Sequence, residues 1–373
     1  MTGKGGLEGV VVGKTEISTI DGLAGRLWYR GIDIWDLAKH STFEETAYLL
    51  WHGVLPTKAQ LEALTKELQA EYNVPEEALA TLRPLAKREN PMSFLRTAVS
   101  VLAAFDPEAE ASTPEANLRK SIRLTAKLPT VIAFYGRVNA GQEPVKPDQS
   151  LNIASNFLYM LQGKVPDKEI CRDFDVALVL HADHHFNAST FSARVTASTL
   201  SDLHSAITSA VGTLKGPLHG GANTEVMQML EEIGSKENVE PYILGKLERK
   251  EKIMGFGHRV YKTVDPRSVV LKEVAERLGS RKGNLKFFEM NTVAQRVMKE
   301  KKNLDPNVDF YSAVCYNLMG INKDLFTPIF ALSRVTGWTA HCMEQWKDNR
   351  LIRPDAEYVG PTNVAYVPIE QRK

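Results

Sequence analysis

The sequence predicts an all-α fold of two domains, with a few short strands at the N-terminal end. Three observations lead there. Strand-type alternation fades after residue 32, apolar residues then recur at helical spacing, and capping residues or prolines open those runs while glycines close them. The 373 residues suffice for two domains, or for a large one with a smaller appendage.

Residues 10 to 32 hold short β-prone pieces around Asp21-Gly22 and Gly25, which fit one or two hairpins. Thr42-Phe43-Glu44-Glu45 is a capping box that opens a helix from Phe43 to His52, with Gly53 as its stop. Thr57 to Gln60 is a second box, followed by Leu61, Leu64, Leu68 and Tyr72 at helical spacing. Further helices start near Pro91, Pro114, Ser150 and Lys168; a proline in a first turn loses no intrahelical bond. Asp106 to Pro114, acidic and rich in small residues, is expected to be a flexible surface loop.

Ser201-Asp202 begins a helix with Leu203, Ile207, Ala210 and Leu214 on one face, ending at Lys215-Gly216-Pro217. The next helix, through Val226, Met229, Leu230 and Ile233, closes at Gly234. His219 therefore stands at or just before a helix N-terminus, where the positive end of the dipole disfavours a second proton on imidazole. Lys252 to Arg267 is expected to be a loop, since it carries Gly255, Gly257 and several cations ahead of Asp265-Pro266. Pro328 opens the last long helix, to about Asn349, and the final twenty residues look extended. Breaks near Gly216-Pro217 and Gly320 divide the chain into a large domain, residues 1–218 plus 317–373, and a smaller inserted one, residues 219–316.

Composition excludes some classes. With 46 basic and 45 acidic residues, the net charge of +1 steers the chain to neither nucleic acid nor an anionic membrane. Cys171, Cys315 and Cys342, odd in number and far apart, fit neither a disulfide framework nor a metal knuckle, and suit a reducing compartment. The stretch from Met1 to Gly6 has no apolar leader and no later run is long enough to span a bilayer, so a soluble, unprocessed, cytoplasmic chain is expected.

Four places can carry chemistry: His181-Ala182-Asp183-His184-His185, His219, His258 and Asp309. Any one alone has a bland reading, as a satisfied core histidine or a helix-capping aspartate, and His40, His52, His204 and His341 receive that reading outright. His181 and His184 have a zinc-ligand spacing, but no helical Glu lies between them and no third ligand is evident, so no metal is expected. Arg334 is more informative. A guanidinium on the apolar run Phe330 to Trp338 needs an anionic partner or a wet cavity. With Arg267 and Arg353 around the same cavity it would make a di- or tricarboxylate pocket, because guanidinium forks grip carboxylates in pairs. Gly255 and Gly257, lacking Cβ atoms, would let the backbone approach a ligand.

Gly216-Pro-Leu-His219-Gly-Gly-Ala-Asn223, Met254-Gly-Phe-Gly-His258-Arg-Val-Tyr-Lys262 with Asp265-Pro-Arg267, Pro306-Asn-Val-Asp309-Phe-Tyr-Ser312, and Phe330-Ala-Leu-Ser-Arg334 with Asn349-Arg-Leu-Ile-Arg353-Pro354 together resemble the citrate synthase family. The likeness runs from Gly6 to Glu370 and is to the short bacterial and archaeal branch. It implies a largely helical homodimer that condenses oxaloacetate with acetyl-CoA to citrate, with acetyl-CoA as co-substrate and no permanently bound cofactor. By motif match, His219, His258 and Asp309 take the catalytic places. His184, Arg267, Arg334 and Arg353 take the oxaloacetate places, with Arg353 reaching the partner subunit's site. The backbone of Ile253, Met254, Gly255, Phe256 and Gly257 would hold the adenine end of CoA, and Arg259 and Lys262 would face its phosphates. In the doubled histidine, His184 is preferred to His185 because it keeps helical register with His181. Three alternatives are a 2-methylcitrate synthase using propionyl-CoA, a metal hydrolase built on His181 and His184, and a non-catalytic helical module with a CoA pocket.

Overall fold

A computed structural model describes residues 5–7 and 9–372; Met1 to Lys4, where the leaderless start was read, and Glu8 lie outside the described residues. The β-prone start forms a small antiparallel sheet, β1 (Ser18–Asp21), β2 (Arg26–Tyr29) and β3 (Ile32–Asp33), in that order, with Ser18 opposite Tyr29 and Trp28 opposite Asp33. The β1–β2 turn needs Gly25, at φ +65, because a Cβ there would press on Thr263 and the Val264 carbonyl.

Helices follow: α1 (Ile34–His40), α2 (Phe43–His52), α3 (Lys58–Ala70), α4 (Glu76–Ala86), α5 (Pro91–Ala103), α6 (Pro114–Asn139), α7 (Ile153–Gln162) and α8 (Lys168–His181). Then come α9 (Ala188–Ser198), α10 (Leu203–Leu214), α11 (Ala222–Ile233), α12 (Val239–Glu248), α13 (Pro266–Lys282), α14 (Lys286–Lys302), α15 (Val308–Leu318) and α16 (Phe326–Lys347). Local chemistry accounts for many boundaries. Thr57 and Gln60 cap each other's backbone at the start of α3, whereas Thr42 caps α2 through its own side chain, and Gly53 ends α2 in the left-handed conformation.

The buried spine is α16, with most of its residues in the core; it packs on α6, α9, α10, α2 and α8. Helices α11 to α15 pack chiefly on one another, α13 and α11 against α15 and α12 against α14, and meet the rest through α8, α1 and α16. No described helix is long and apolar enough to cross a membrane. Two expectations fail. Residues 106–113 are fastened rather than loose, because Arg123 grips Asp106 and Glu108 while buried Lys120 donates to the Ala109 and Ala111 carbonyls. Helix α8 ends at His181, so His184 sits beyond it in a bend and the helical register argued for it does not exist. The last segment, 350–372, has no regular structure apart from a single turn of 3-10 helix at Ile369–Gln371, and it is exposed but for the half-buried Ile352.

Candidate active site

Two buried guanidinium groups organise the site. Arg334, on the inner face of α16, is 1% exposed; its Nε donates to the His181 carbonyl at 2.6 Å and its Cζ lies over the Phe330 ring, 4.6 Å from the centroid. Its Nη2 is buried with no partner. Burial lowers its pKa to about 10, which still leaves it charged at neutral pH. Arg267, in the first turn of α13, is also buried, and Asp265 takes its Nε at 3.0 Å and its Nη2 at 2.7 Å. That carboxylate outweighs burial and keeps Arg267 firmly protonated. The expected open fork is therefore half used, with only the Nη1 edge left for a ligand. Asp265 also accepts the Val308 N–H, which docks the start of α15 onto the same carboxylate.

Of the doubled histidine, His184 is buried within this cluster, its ring 5.2 Å from that of His258 and its Nε2 3.3 Å from the Tyr261 hydroxyl. Burial, then the charges of Arg267, His258 and Arg334, hold His184 well below the usual imidazole range. His185 turns away in the left-handed region, φ +54, with Nδ1 beside the Ser18 carbonyl.

The loop before α13 is irregular, as its glycines suggest, and it is latched to the entry of α15. The Gly255 carbonyl accepts from Asn307, the Gly257 N–H donates to Asp305, and Phe256 bridges Pro306. Gly255 serves this packing: at φ +80, a Cβ would stand 2.6 Å from Phe310 Cδ2 and 2.8 Å from Val226 Cγ2. Gly255→Ala is expected to cost about 1 to 3 kcal/mol or more in urea unfolding. Within the loop, His258 Nδ1 accepts the N–H groups of both Val260, at 3.0 Å, and Tyr261, at 3.1 Å. Two directed donors leave no room for a proton on Nδ1, so it resides on Nε2. Burial, then Arg267, lower His258 to about 4.

His219 has the opposite tautomer. The Ser189 N–H points at its Nε2 from 3.2 Å, and the Ser189 hydroxyl lies 2.8 Å away. The backbone donor cannot rotate, so Nε2 is bare and the ring proton is on Nδ1. Ser189 is held in turn by the Trp338 indole N–H of α16 and by Asn187, the N-cap of α9. Burial, then the charge of Arg334, lower His219 to about 4. His219 precedes the start of α11, as the sequence suggests, and these two causes lower it there.

Asp309 lies in the first turn of α15, which Asn307 caps, so the capping role is taken and Asp309 is free for another. Its Oδ1 is buried without a partner. Burial raises its pKa to about 7, against the pull of Arg267 and Arg334. The charge of Arg334 thus acts on His184, His219 and Asp309 together.

Other expected residues lie apart. Arg353 is 75% exposed and pairs with Asp355 in the extended tail. Arg259 and Lys262 are exposed, and the Lys262 N–H is tied to the Gly22 carbonyl of the β1–β2 turn. His181 Nδ1 bonds its own helix at Ala177, and among the described residues no three His, Cys, Asp or Glu side chains are placed to hold a metal ion. Two cavities of about 460 and 480 Å³ lie against the 106–111 loop, and none of the expected catalytic or substrate-binding residues lines them. Sequence reasoning missed Asp265, Ser189 and Tyr261; only the Asp-Pro-Arg spacing of Asp265 offered a signal.

A protein that holds His184, His219 and His258 below the usual imidazole range beside buried guanidinium groups is equipped for acid–base chemistry on an anion, and this one is a mostly helical enzyme of that kind. Comparison with known proteins narrows the class. The family described as "Citrate synthase, C-terminal domain" matches residues 6–355. "Citrate synthase 2" of Bacillus subtilis is 52% identical over the whole of both chains. A "2-methylcitrate synthase" of Shewanella oneidensis is 43% identical over 98% of this chain and 97% of its own. The citrate synthase of Thermoplasma acidophilum, solved as a ternary complex with carboxymethyl coenzyme A and oxaloacetate, matches with a TM-score of 0.93 at 35% identity over 98% of each chain. The chain belongs to the citrate synthase family of acyltransferases.

Proposed function

We propose that this chain condenses acetyl-CoA with oxaloacetate and water, giving citrate and CoA. The observation that carries the reading is Arg334 Nη2, a buried donor with no partner, set where its charge acts on His184, His219 and Asp309. An unfilled donor of that kind costs stability unless an anion meets it. Arg334, the free edge of Arg267 and His184 would hold the carboxylates of oxaloacetate. Asp309 removes a proton from the thioester methyl while His219 Nδ1–H supports the developing enol oxygen. The methyl carbon then bonds to the ketone carbon, and His258 Nε2–H donates to the new alkoxide. Water finally cleaves citryl-CoA, releasing the thiol. No permanently bound cofactor takes part.

Residues 219–316 would form the smaller unit, closing over residues 1–218 plus 317–373 to exclude water. The mutual packing of α11 to α15 supports that division. The backbone of Ile253 to Gly257, with Arg259 and Lys262, would take CoA; the Gly257 N–H is already given to the Asp305 carbonyl, so its neighbours would supply the donors. The exposed Arg353 would complete the site of a second copy in a homodimer, and the setting would be cytoplasmic.

A 2-methylcitrate synthase would use propionyl-CoA, one methylene larger, which a pocket separates by only about 1 to 3 kcal/mol. The test is thiol release with each acyl-CoA. Release from acetyl-CoA only when oxaloacetate is present, with a higher kcat/KM than for propionyl-CoA, supports the proposal; release without oxaloacetate, or preference for propionyl-CoA, overturns it. The same assay reads the pH dependence. Asp309 acts as a base only when ionised, and its pKa is about 7, so kcat/KM is expected to fall as pH drops below about 7. The imidazoles, near 4, would contribute nothing to that fall.

A further inference from the structure

Behind the proposed site lies a second polar chain, buried except at its Glu344 end. His341, two turns beyond Arg334 on α16, is 0% exposed. Its Nδ1 faces Arg194 Nη1 at 3.2 Å, and because a guanidinium can only donate, the ring proton belongs on Nε2. Nε2 lies 3.3 Å from both carboxylate oxygens of Asp183, which is also 0% exposed and immediately precedes His184. Arg194 projects from α9, the helix whose first turn holds Ser189 against His219, and it is anchored outward on Glu344 at 2.7 Å.

Asp183 is the clamp of the bend after α8. Its Oδ2 accepts from the Ser18 hydroxyl at 2.5 Å and from the His185 N–H at 3.2 Å, while its peptide group is held by the Tyr29 hydroxyl. Helix α16 yields to it at Gly337, where the N–H donates to the Ala182 carbonyl and a Cβ would sit 2.4 Å from Asp183 Oδ1. A buried carboxylate held by so many donors fixes the bend, and with it the direction of His184.

We propose that His341 is a positioning residue that sets the two halves of the site in register. Through Asp183 it orients His184 beside the keto acid, and through Arg194 it fixes α9, hence Ser189 and the tautomer of His219. Its own ring touches neither substrate. This deepens the reading above and rests on oxaloacetate as the ligand; wild-type binding of oxaloacetate, measured by calorimetry without CoA, is the control that separates the two. If wild type fails to bind, the function is wrong, whatever His341 does.

The experiment compares His341→Leu, His341→Gln and Glu344→Gln by oxaloacetate calorimetry and by steady-state kinetics. His341→Leu removes both bonds and is expected to weaken oxaloacetate and lower kcat, each by about tenfold or more, with KM for acetyl-CoA little changed. His341→Gln keeps a donor towards Asp183 and is expected to recover most of the oxaloacetate affinity but not kcat, because the ring Nδ1 acceptor is lost and Arg194 keeps only the His341 carbonyl and Glu344. Glu344→Gln, at the partly exposed end of the chain, is expected to lower kcat modestly and leave oxaloacetate affinity alone. A purely structural role would lower the melting temperature and the active fraction while leaving affinity and kcat per active site unmoved, and that result in His341→Leu overturns the proposal. Should His341→Leu not fold, equal loss of affinity and kcat in His341→Gln, or no loss of either, overturns it instead.

Discussion

Asp309→Asn is expected to lower kcat by about 100- to 10,000-fold while leaving oxaloacetate affinity within a few-fold of wild type. The side chain keeps its size but can no longer take a proton, and no hydrogen bond to its buried Oδ1 is lost because none exists. The same substitution should raise the melting temperature of the unliganded protein at pH 8. Burial holds the folded carboxyl near 7, against an ordinary value of 3.8, so the folded state binds this proton more tightly than the unfolded state. Ionising the group at pH 8 therefore costs folding free energy, a cost that shrinks as pH falls from 7 towards 4. Asparagine removes the cost. Near-wild-type turnover in this variant would contradict the assignment of Asp309 as base.

Arg334→Leu should act on binding. Truncating one member of a buried charge pair costs roughly 2 to 5 kcal/mol, or about 30- to several-thousand-fold in oxaloacetate affinity by calorimetry. Arg334→Lys should not restore it, because an ammonium is a point charge without the planar fork that gives Nε to the His181 carbonyl and leaves Nη2 for the ligand. Without ligand the leucine variant should melt no lower than wild type, since it removes a buried charge that lacks a full set of partners. An oxaloacetate Kd within tenfold of wild type would contradict the role.

The fold was legible where its causes are local. Thr42, Thr57, Asn90, Thr113 and Asp202 cap the helices that follow them, and their signals lie within a turn of the effect. The bend after α8 was not legible, because helical spacing continues through His181 and His184 while the break depends on Gly337 and His341, more than 150 residues away. Arg334 stood out as a charge in an apolar run, but that Asp265 would occupy half of Arg267 required knowing how α13 begins. The lowering of His219 was legible from its place before a helix, but the burial and the charge of Arg334 that lower it were not, since both depend on the fold. Arg353 keeps the place the family likeness gives it only if a second chain brings its own site to that arginine.

The proposed condensation needs two imidazoles holding their protons on opposite nitrogens, His219 on Nδ1 and His258 on Nε2, so that one donor would serve each reacting oxygen. Nitrogen NMR of the histidine-labelled protein reads this directly, with His219→Gln and His258→Gln used for assignment. Both rings are expected to stay neutral from pH 8 down to about 5, His219 as the Nδ1–H tautomer and His258 as the Nε2–H tautomer. A ring that titrates near 6.5, or carries its proton on the other nitrogen, would contradict it.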